Sequence, residues 1–450
     1  MTLGHAARAD LIRLTDRLDG YRLFPGDDGY DAARDVWNAM VDRRPRAIVR
    51  CAGVADVVTA VCAARELDLE IGVRCGGHSV LGLCVPEDGL MIDLTPMGSV
   101  RVDPEQRRAW VQGGALLGDL DIAAQEHGLA TTAGNVSHTG VGGLTLGGGM
   151  GWLARTYGLT CDNVVSYEVV TAAGDVVRAS PDDNPDLFWG LRGGGGNFGI
   201  VTEFEFQLHP VGTRAFVAEY DFALDDAAAA LRAWRDLSAE APRAATFNAA
   251  IGADGTTMAG FVWVGDPQEG QRLLPSMGAL GIPIAERVRE MSYVELQTRE
   301  DSVEGYTYRR YWKGHYLPEL SDAAIDAMVE RDPADPMLPG MSLQAYGGAI
   351  GDVPDADSAF SHRGTQFEWI AASRWDDPAE DADRMATSRR RAAAVEPFAS
   401  GVYVNVLSDD GASGVRRAFP ADKMARLTEL KDAYDPDNVF HLNPNVRPSG

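Results

Sequence analysis

Lysine is nearly missing from this chain. Of 41 basic residues only Lys313, Lys423 and Lys431 are lysines, and none lies near a glycine run. A Walker-type phosphate loop, which ends on a lysine, is therefore excluded. Cysteine is scarce as well. Cys51, Cys62, Cys75, Cys84 and Cys161 are odd in number and form no Cys-x-x-Cys pair. Neither a zinc knuckle nor a disulfide framework follows, and a reducing cytoplasm is the expected compartment. No Gly-x-Ser-x-Gly elbow places a serine for a triad. His78 and His138 lack metal-ligand spacing and carboxylate companions, so no metal is expected. Positive charge is in deficit too: a net charge of -25 and a pI near 4.7 argue against nucleic acid or an anionic membrane as partner. Residues 1–14 carry Asp10 and several arginines where a signal peptide needs an unbroken apolar core.

Glycine is what the chain has in quantity, in three stretches. The first is Arg74-Cys75-Gly76-Gly77-His78-Ser79, directly after a short strand-like run. Two glycines let a backbone turn close on a phosphate-bearing ligand and present an imidazole to it. The second spans 140–151. Residues 136–154 carry no formal charge, but their glycine density and the polar Ser137, His138, Thr139 and Thr145 read as a ligand-cradling loop and turn rather than a membrane span. The third, 193–199, contains Gly194-Gly195-Gly196-Asn197-Phe198-Gly199 and so satisfies G-x-G-x-x-G. Its context is wrong for a dinucleotide fingerprint, because it follows a helix-like run and opens a strand.

Periodicity predicts a helix over 56–67 and a strand over 69–73, then short strands at 90–94, 100–102 and 109–112. Residues 116–127 read as a helix with Gly128 after its end. Strands follow at 164–171 and 176–178, and 200–208 alternates with Ile200, Thr202, Phe204, Phe206 and Leu208 on one face. This mixed order gives an α+β domain rather than a doubly wound sheet. From about 211 the glycine runs end. Helices over 225–239 and 321–331 alternate with strands such as 261–264 and 342–346, forming a second domain to about 400. Residues 401–450 read as turn-rich and polar.

Taken together, the glycine stretches and their neighbours resemble the berberine-bridge-enzyme-like FAD-linked oxidases of the vanillyl-alcohol-oxidase/PCMH flavoprotein superfamily. The motifs are Val73-Arg74-x-Gly-Gly-His-Ser, Val111-Gln112-Gly113-Gly114, Thr139-Gly140-Val141-Gly142-Gly143, Gly147-Gly148-Gly149 and Leu191-Arg192-Gly193-Gly194-Gly195-Gly196-Asn197-Phe198-Gly199. They resume at Gly401-Val402-Tyr403-Val404-Asn405 and in the closing Asn443-Pro444-Asn445. The resemblance implies a PCMH-type FAD-binding domain of two α+β subdomains over 1–210. It implies an α+β substrate (roof) domain with an antiparallel sheet over 211–400, and a segment 401–450 that returns to the FAD domain.

The resemblance also implies roles. His78 would carry FAD through an 8α-histidyl bond, with Arg74, Gly76, Gly77 and Ser79 around the pyrophosphate. Gly134, Ser137, Thr139, Gly140, Gly142, Gly143 and Gly149 would line the cofactor, Ile200 and Val201 would flank the adenine, and Tyr403, Asn405 and Asn445 would approach the isoalloxazine. Many relatives add a second bond from a cysteine at the position of Val136, so a single linkage is expected here. Leu144 stands where many relatives have a flavin-contacting histidine, and Val406 where many have a second tyrosine that serves as base. These features resemble the singly linked bacterial branch, which includes the enterocin-pathway flavoprotein. Two reactions follow as expectations. One is an oxidase that takes a hydride from an alcohol, amine or phenolic substrate and reduces dioxygen to hydrogen peroxide. The other is an oxygenase working through an N5-oxygenated flavin, which Thr139 with Leu144 favours.

Candidates for catalysis are Thr139, Tyr403 and Gln344. Tyr308, Tyr311, Lys313 and Tyr346 are candidates for substrate contact within the cluster Tyr306, Tyr308, Tyr311, Trp312 and Tyr316. A phenol starts near pKa 10 and needs a cationic neighbour to act as a base, a field that Arg309 or Lys313 would supply. The expected partners are a small molecule and dioxygen, with the chain a monomer or homodimer.

Overall fold

The computed structural model describes residues 5–301, 306–331 and 337–450, so the first four residues of the amino-terminal stretch lie outside the described residues. Tyr21–Leu23 (β1), Ala47–Arg50 (β2), Ile71–Arg74 (β3) and Leu90–Asp93 (β4) form one sheet in the order β1-β2-β4-β3. β2 and β3 each pair in parallel with β4, which requires crossover connections. Helix Val54–Glu66 (α1) supplies one and buries Val57, Ala60, Val61 and Ala64 against the sheet. β3 ends at Arg74, so the histidine loop leaves the carboxyl edge of parallel strands, where such sheets place ligands.

The second sheet is antiparallel. It orders Val100–Asp103 (β5), Arg108–Gln112 (β6), Val164–Val170 (β7), Val176–Ala179 (β8) and Ile200–Gln207 (β9) as β5-β6-β9-β7-β8. Alternation drives β9: Thr202, Phe204 and Phe206 are buried while Glu203, Glu205 and Gln207 are only partly covered. Helices Leu117–Gln125 (α2), Val141–Leu146 (α3) and Pro185–Leu191 (α4) share its core. α3 corrects the reading of 136–154 as loop and turn throughout. Gly142 and Gly143 disfavour a helix, but buried Val141 and Leu146 hold this one by packing.

The third sheet has seven antiparallel strands among the described residues. Arg214–Phe222 (β10), Ala245–Ile251 (β11), Thr257–Val264 (β12), Ala285–Ser292 (β13), Arg309–Leu317 (β14), Gly340–Ala345 (β15) and Phe367–Trp375 (β16) lie in the order β13-β10-β12-β11-β15-β16-β14. One face carries Phe247, Leu343 and Trp369. It packs on helices Leu224–Glu240 (α5), Asp322–Val329 (α6) and Asp381–Val395 (α7), burying Trp234, Ile325 and Val395. The opposite face turns toward the second glycine stretch: the Thr246 hydroxyl donates to the Trp152 carbonyl at 2.8 Å.

The tail is not merely turn-rich. It holds helices Gly411–Ala418 (α8) and Ala421–Tyr434 (α9), the second with Leu427 and Leu430 in one core with Leu187 and Leu191 of α4. Lys431 is fully buried, pairs with Asp435 at 2.6 Å and donates to the carbonyls of Asn197 and Phe440. That contact ties the chain's end to the third glycine stretch.

Candidate active site

Two glycine loops touch at the histidine. A side chain on either Gly76 or Gly140 would collide with the other residue's backbone, so only glycine permits the approach. Gly77, in the left-handed region at φ +71°, turns the chain so that its carbonyl accepts from Trp37 N–H at 3.1 Å. The Trp37 ring stacks on His78 with centroids 5.0 Å apart and planes 18° from parallel. Nε2 of His78 lies 2.7 Å from Nδ1 of His138, and Nδ1 of His78 lies 3.4 Å from the Thr139 hydroxyl. Desolvation, joined by His138 and Arg310, pushes the His78 imidazole down to about 3, so it is neutral.

From this junction α3 and the residues after it run to a tyrosine. Asn405 donates to the carbonyls of Gly143 and Leu144 and to the Tyr403 hydroxyl, at 3.3, 3.4 and 2.9 Å. Gly149 N–H donates to that same hydroxyl at 2.9 Å. Gly143 and Asn405 are exposed although their neighbours Gly142, Val404 and Val406 are buried, and among the described residues nothing beyond its own helix backbone and chain neighbours comes within 4 Å of a Cβ placed on Gly143. A Cβ placed on Gly142 would meet the Gly113 carbonyl at 3.3 Å. Gly134 leaves room for Leu144, which a Cβ would meet at 2.6 Å, and its carbonyl accepts from Gln297. Ser137 is held by Asp301 through its amide and hydroxyl at 2.8 and 2.6 Å.

The remaining cofactor candidates line the same region or its flanks. Arg74 donates to the Ala33 carbonyl, and Ser79 closes its loop by accepting from Leu83 N–H at 3.3 Å. Ile200 and Val201 are buried at the start of β9. Asn445 follows Pro444, whose carbonyl accepts from Asn197 of the third glycine stretch, and its Oδ1 is buried without a partner among the described residues.

Above Tyr403 the roof sheet presents one polar rung. Register places Asn248 opposite Gln344, Gln344 opposite Glu368, and Glu368 opposite Tyr316, so all four share a face. Among the described residues Asn248 Oδ1, Gln344 Nε2 and Glu368 Oε1 are buried with no hydrogen-bond partner. The native interior rarely tolerates that, and a row of three points to a ligand's polar groups. Glu368 accepts at Oε2 from the Tyr346 hydroxyl at 2.9 Å. Burial raises its carboxyl to about 7 despite that bond. The Tyr316 and Tyr403 rings lie 6.3 Å apart, with Tyr346 5.5 Å from Tyr316.

Several expectations change here. Tyr311 and Lys313 face away from the rung, because odd positions of β14 pair with Ser373 and Ala371 on the α7 side. There Tyr311 binds Asp409 at 2.5 Å and Lys313 pairs with Asp409 and Asp410 at 2.7 and 2.8 Å. Arg309 is engaged by Asp381. Neither cation serves Tyr403, whose phenol burial pushes up rather than down, so it is no ready base. Tyr346 is buried against Glu368, and Tyr308 packs its ring under Arg374 at 4.5 Å. Glu368 was missed. Its signal is the one acid in the apolar run Phe367-Glu368-Trp369-Ile370-Ala371-Ala372.

The donor set fits a flavin dinucleotide: paired glycine loops, an accessible glycine floor, orphaned amides and a buried carboxyl. The comparisons agree. A family model described as an FAD binding domain matches residues 45–180, and one described as berberine and berberine like matches 402–447. The chain is similar to an FAD-linked oxidoreductase of Dictyostelium discoideum, 30% identical over 92% of this chain and 91% of that one. It is equally similar to (R)-6-hydroxynicotine oxidase of Paenarthrobacter nicotinovorans, 30% identical over 96% and 98%. The solved structure of wild-type BBE-like 1 from Physcomitrella patens superposes with a TM-score of 0.89 at 25% identity, covering 98% and 99%.

Proposed function

The chain belongs to the berberine-bridge-enzyme-like family of FAD-linked oxidoreductases, and from that premise we propose an oxidase of small organic substrates with its FAD on His78. Residues 1–210 with the returning 401–450 hold the cofactor and 211–400 form the roof. No linkage comes from position 136, which is Val136. When bound, FAD accepts a hydride from the substrate carbon and passes the electron pair to dioxygen, releasing hydrogen peroxide. The five free thiols support a cytoplasmic setting.

The observation that carries this reading is the rung of Asn248, Gln344 and Glu368 with its unpartnered atoms. Glu368, held near pKa 7, takes the proton from the substrate's hydroxyl or amine as carbon loses hydride. Gln344 and Asn248 offer a donor and an acceptor that fix the substrate's polar group. Tyr403, held by Gly149 and Asn405, sets the height of the substrate above the floor, and Tyr346 holds the carboxylate's rotamer through Oε2. Trp37 and Trp312, edge to face at 5.2 Å, wall the site beside His78. The aromatic lining supports alcohols, amines and phenolic natural products as substrates. Anaerobic mixing with such a panel should bleach the flavin absorbance, and aerobic turnover should release one peroxide per product. A panel in which no compound bleaches the flavin would remove the reading.

Oxygenation is a second reading, supported by Thr139 at 3.4 Å from His78 Nδ1 and by apolar Leu144 packed over Gly134. Labelled oxygen from dioxygen would then appear in the product without stoichiometric peroxide.

A further inference from the structure

We propose that His138 is the proton acceptor that makes His78 a nucleophile, so that the chain attaches its own FAD through Nδ1 of His78. This rests on the reading that FAD is held covalently there. A neutral imidazole has one N–H and one lone pair, and which nitrogen carries the proton is set by the partner of the other. Nε2 of His78 is 2.7 Å from Nδ1 of His138. With the proton on Nε2, shared toward His138, the lone pair of His78 lies on Nδ1. Among the described residues that nitrogen meets only the long 3.4 Å contact to the Thr139 hydroxyl. Trp37 fixes the ring plane by stacking, and Gly77 pins the loop through its carbonyl. Ser137, next to His138, is locked by two bonds to Asp301. Both imidazoles are thus held by elements outside the pair.

The step balances. A bond forms between Nδ1 of His78 and the 8α methyl carbon of the flavin, and one C–H bond of that methyl breaks, its proton going to solvent. As Nδ1 becomes alkylated the imidazole would turn cationic in surroundings that already disfavour charge, so the Nε2 proton passes to His138. The ring system takes up the electron pair. Dioxygen then removes that pair with two protons as hydrogen peroxide, restoring the oxidised flavin. His138 touches neither substrate nor the 8α carbon; it acts through His78.

The test reads attachment, not turnover. Wild type, His138→Ala, His138→Gln and His78→Ala are denatured, and the FAD-bearing fraction of polypeptide is measured by intact mass, as isolated and during incubation with added FAD. His138→Ala should bind FAD without attaching it, the rate falling at least tenfold. His138→Gln should also be slow, since an amide oxygen accepts the hydrogen bond but does not take the proton. Addition of imidazole should restore attachment in His138→Ala. If either folded variant attaches FAD at the wild-type rate, or if the flavin peptide shows its bond at Nε2, His138 has no such role. If wild type itself carries no covalent FAD, the underlying linkage reading fails instead, and the two failures are told apart by that one control.

Discussion

The hydroxyl of Tyr346 donates to Oε2 of Glu368 across 2.9 Å, leaving Oε1 of the same carboxyl buried and unpartnered. One oxygen is held and the other is presented. A base used in this way must be ionised, and burial holds Glu368 near pKa 7. Turnover should therefore climb with pH up to about 7 and level above it. Glu368→Gln should lower kcat by about 10²–10⁴-fold and abolish that acid limb, with FAD content unchanged. A variant that keeps the wild-type pH–rate profile would show that another group takes the proton.

Attachment should be visible by eye. Acid-precipitated wild type should stay yellow, and His78→Ala should leave its flavin in the supernatant. Val136→Cys places a thiol where the resemblance puts the second link, and an altered flavin spectrum, with flavin retained on acid precipitation of the Val136→Cys/His78→Ala double variant, would report a second bond. An unchanged spectrum, with flavin lost from the double variant, would mean that residue 136 does not reach the ring.

Two glycines three residues apart should fail differently. A methyl on Gly140 would meet Gly76 and the Cys75 sulfur, while one on Gly143 meets nothing among the described residues beyond its own helix backbone and chain neighbours. Gly140→Ala should lower the melting temperature of the protein and drive apart the loops at His78. Gly143→Ala should fold normally yet bind FAD less tightly, because its methyl occupies the accessible floor. Equal losses of stability from both would contradict the floor assignment.

How far the chain could be read in advance follows from which forces act locally. α1 was expected over 56–67 and spans Val54–Glu66, and β9, expected over 200–208, spans Ile200–Gln207; each carries its own apolar period. β13 was not foreseen, since it is an exposed edge strand whose residues Ala285 to Arg289 are outside the core. α9 was hidden behind a polar surface and two closing turns. Family motifs brought the histidine loop and Tyr403 forward, but Glu368 gains its meaning from Gln344 and Tyr316 on neighbouring strands. Tyr311 and Lys313 were misjudged by a single register step, which sends a side chain to the other face of a sheet.

Asp162 anchors the glycine stretch to the roof. It accepts from Arg363 at 2.7 and 2.9 Å and from Arg192 at 3.1 Å, with Asp162 and Arg363 nearly excluded from water and Arg192 partly covered. Asp162→Asn should cost about 3–5 kcal/mol, since the buried Arg363 guanidinium loses its counter-charge and the partly covered Arg192 with it. Thermal unfolding followed by tryptophan emission should show it; a change under about 1 kcal/mol would mean that the pair is dispensable.

Raising the pH from about 4 to about 7 should loosen this protein, because two buried acids titrate there. Burial raises Asp121 to about 7 from 3.8, against a lowering bond from Gln297, and raises Glu368 to about 7 from 4.5. A carboxyl whose folded pKa lies above its unfolded value keeps its proton in the native state after the unfolded chain has released it. Between about pH 4 and pH 7 the native state therefore binds more protons, and stability falls as pH rises, flattening once both groups are ionised. Each contributes a few kcal/mol over that window, at about 1.4 kcal/mol per unit. Asp162 acts oppositely, its carboxyl lowered by Arg363 and Arg192 against burial, so its support fades only in stronger acid. Denaturant melts stepped from about pH 5 to about pH 8 should slope downward, and Asp121→Asn and Glu368→Gln should each remove part of the slope. A wild-type curve that rises across this range would show that both acids ionise freely and that neither is sealed from water.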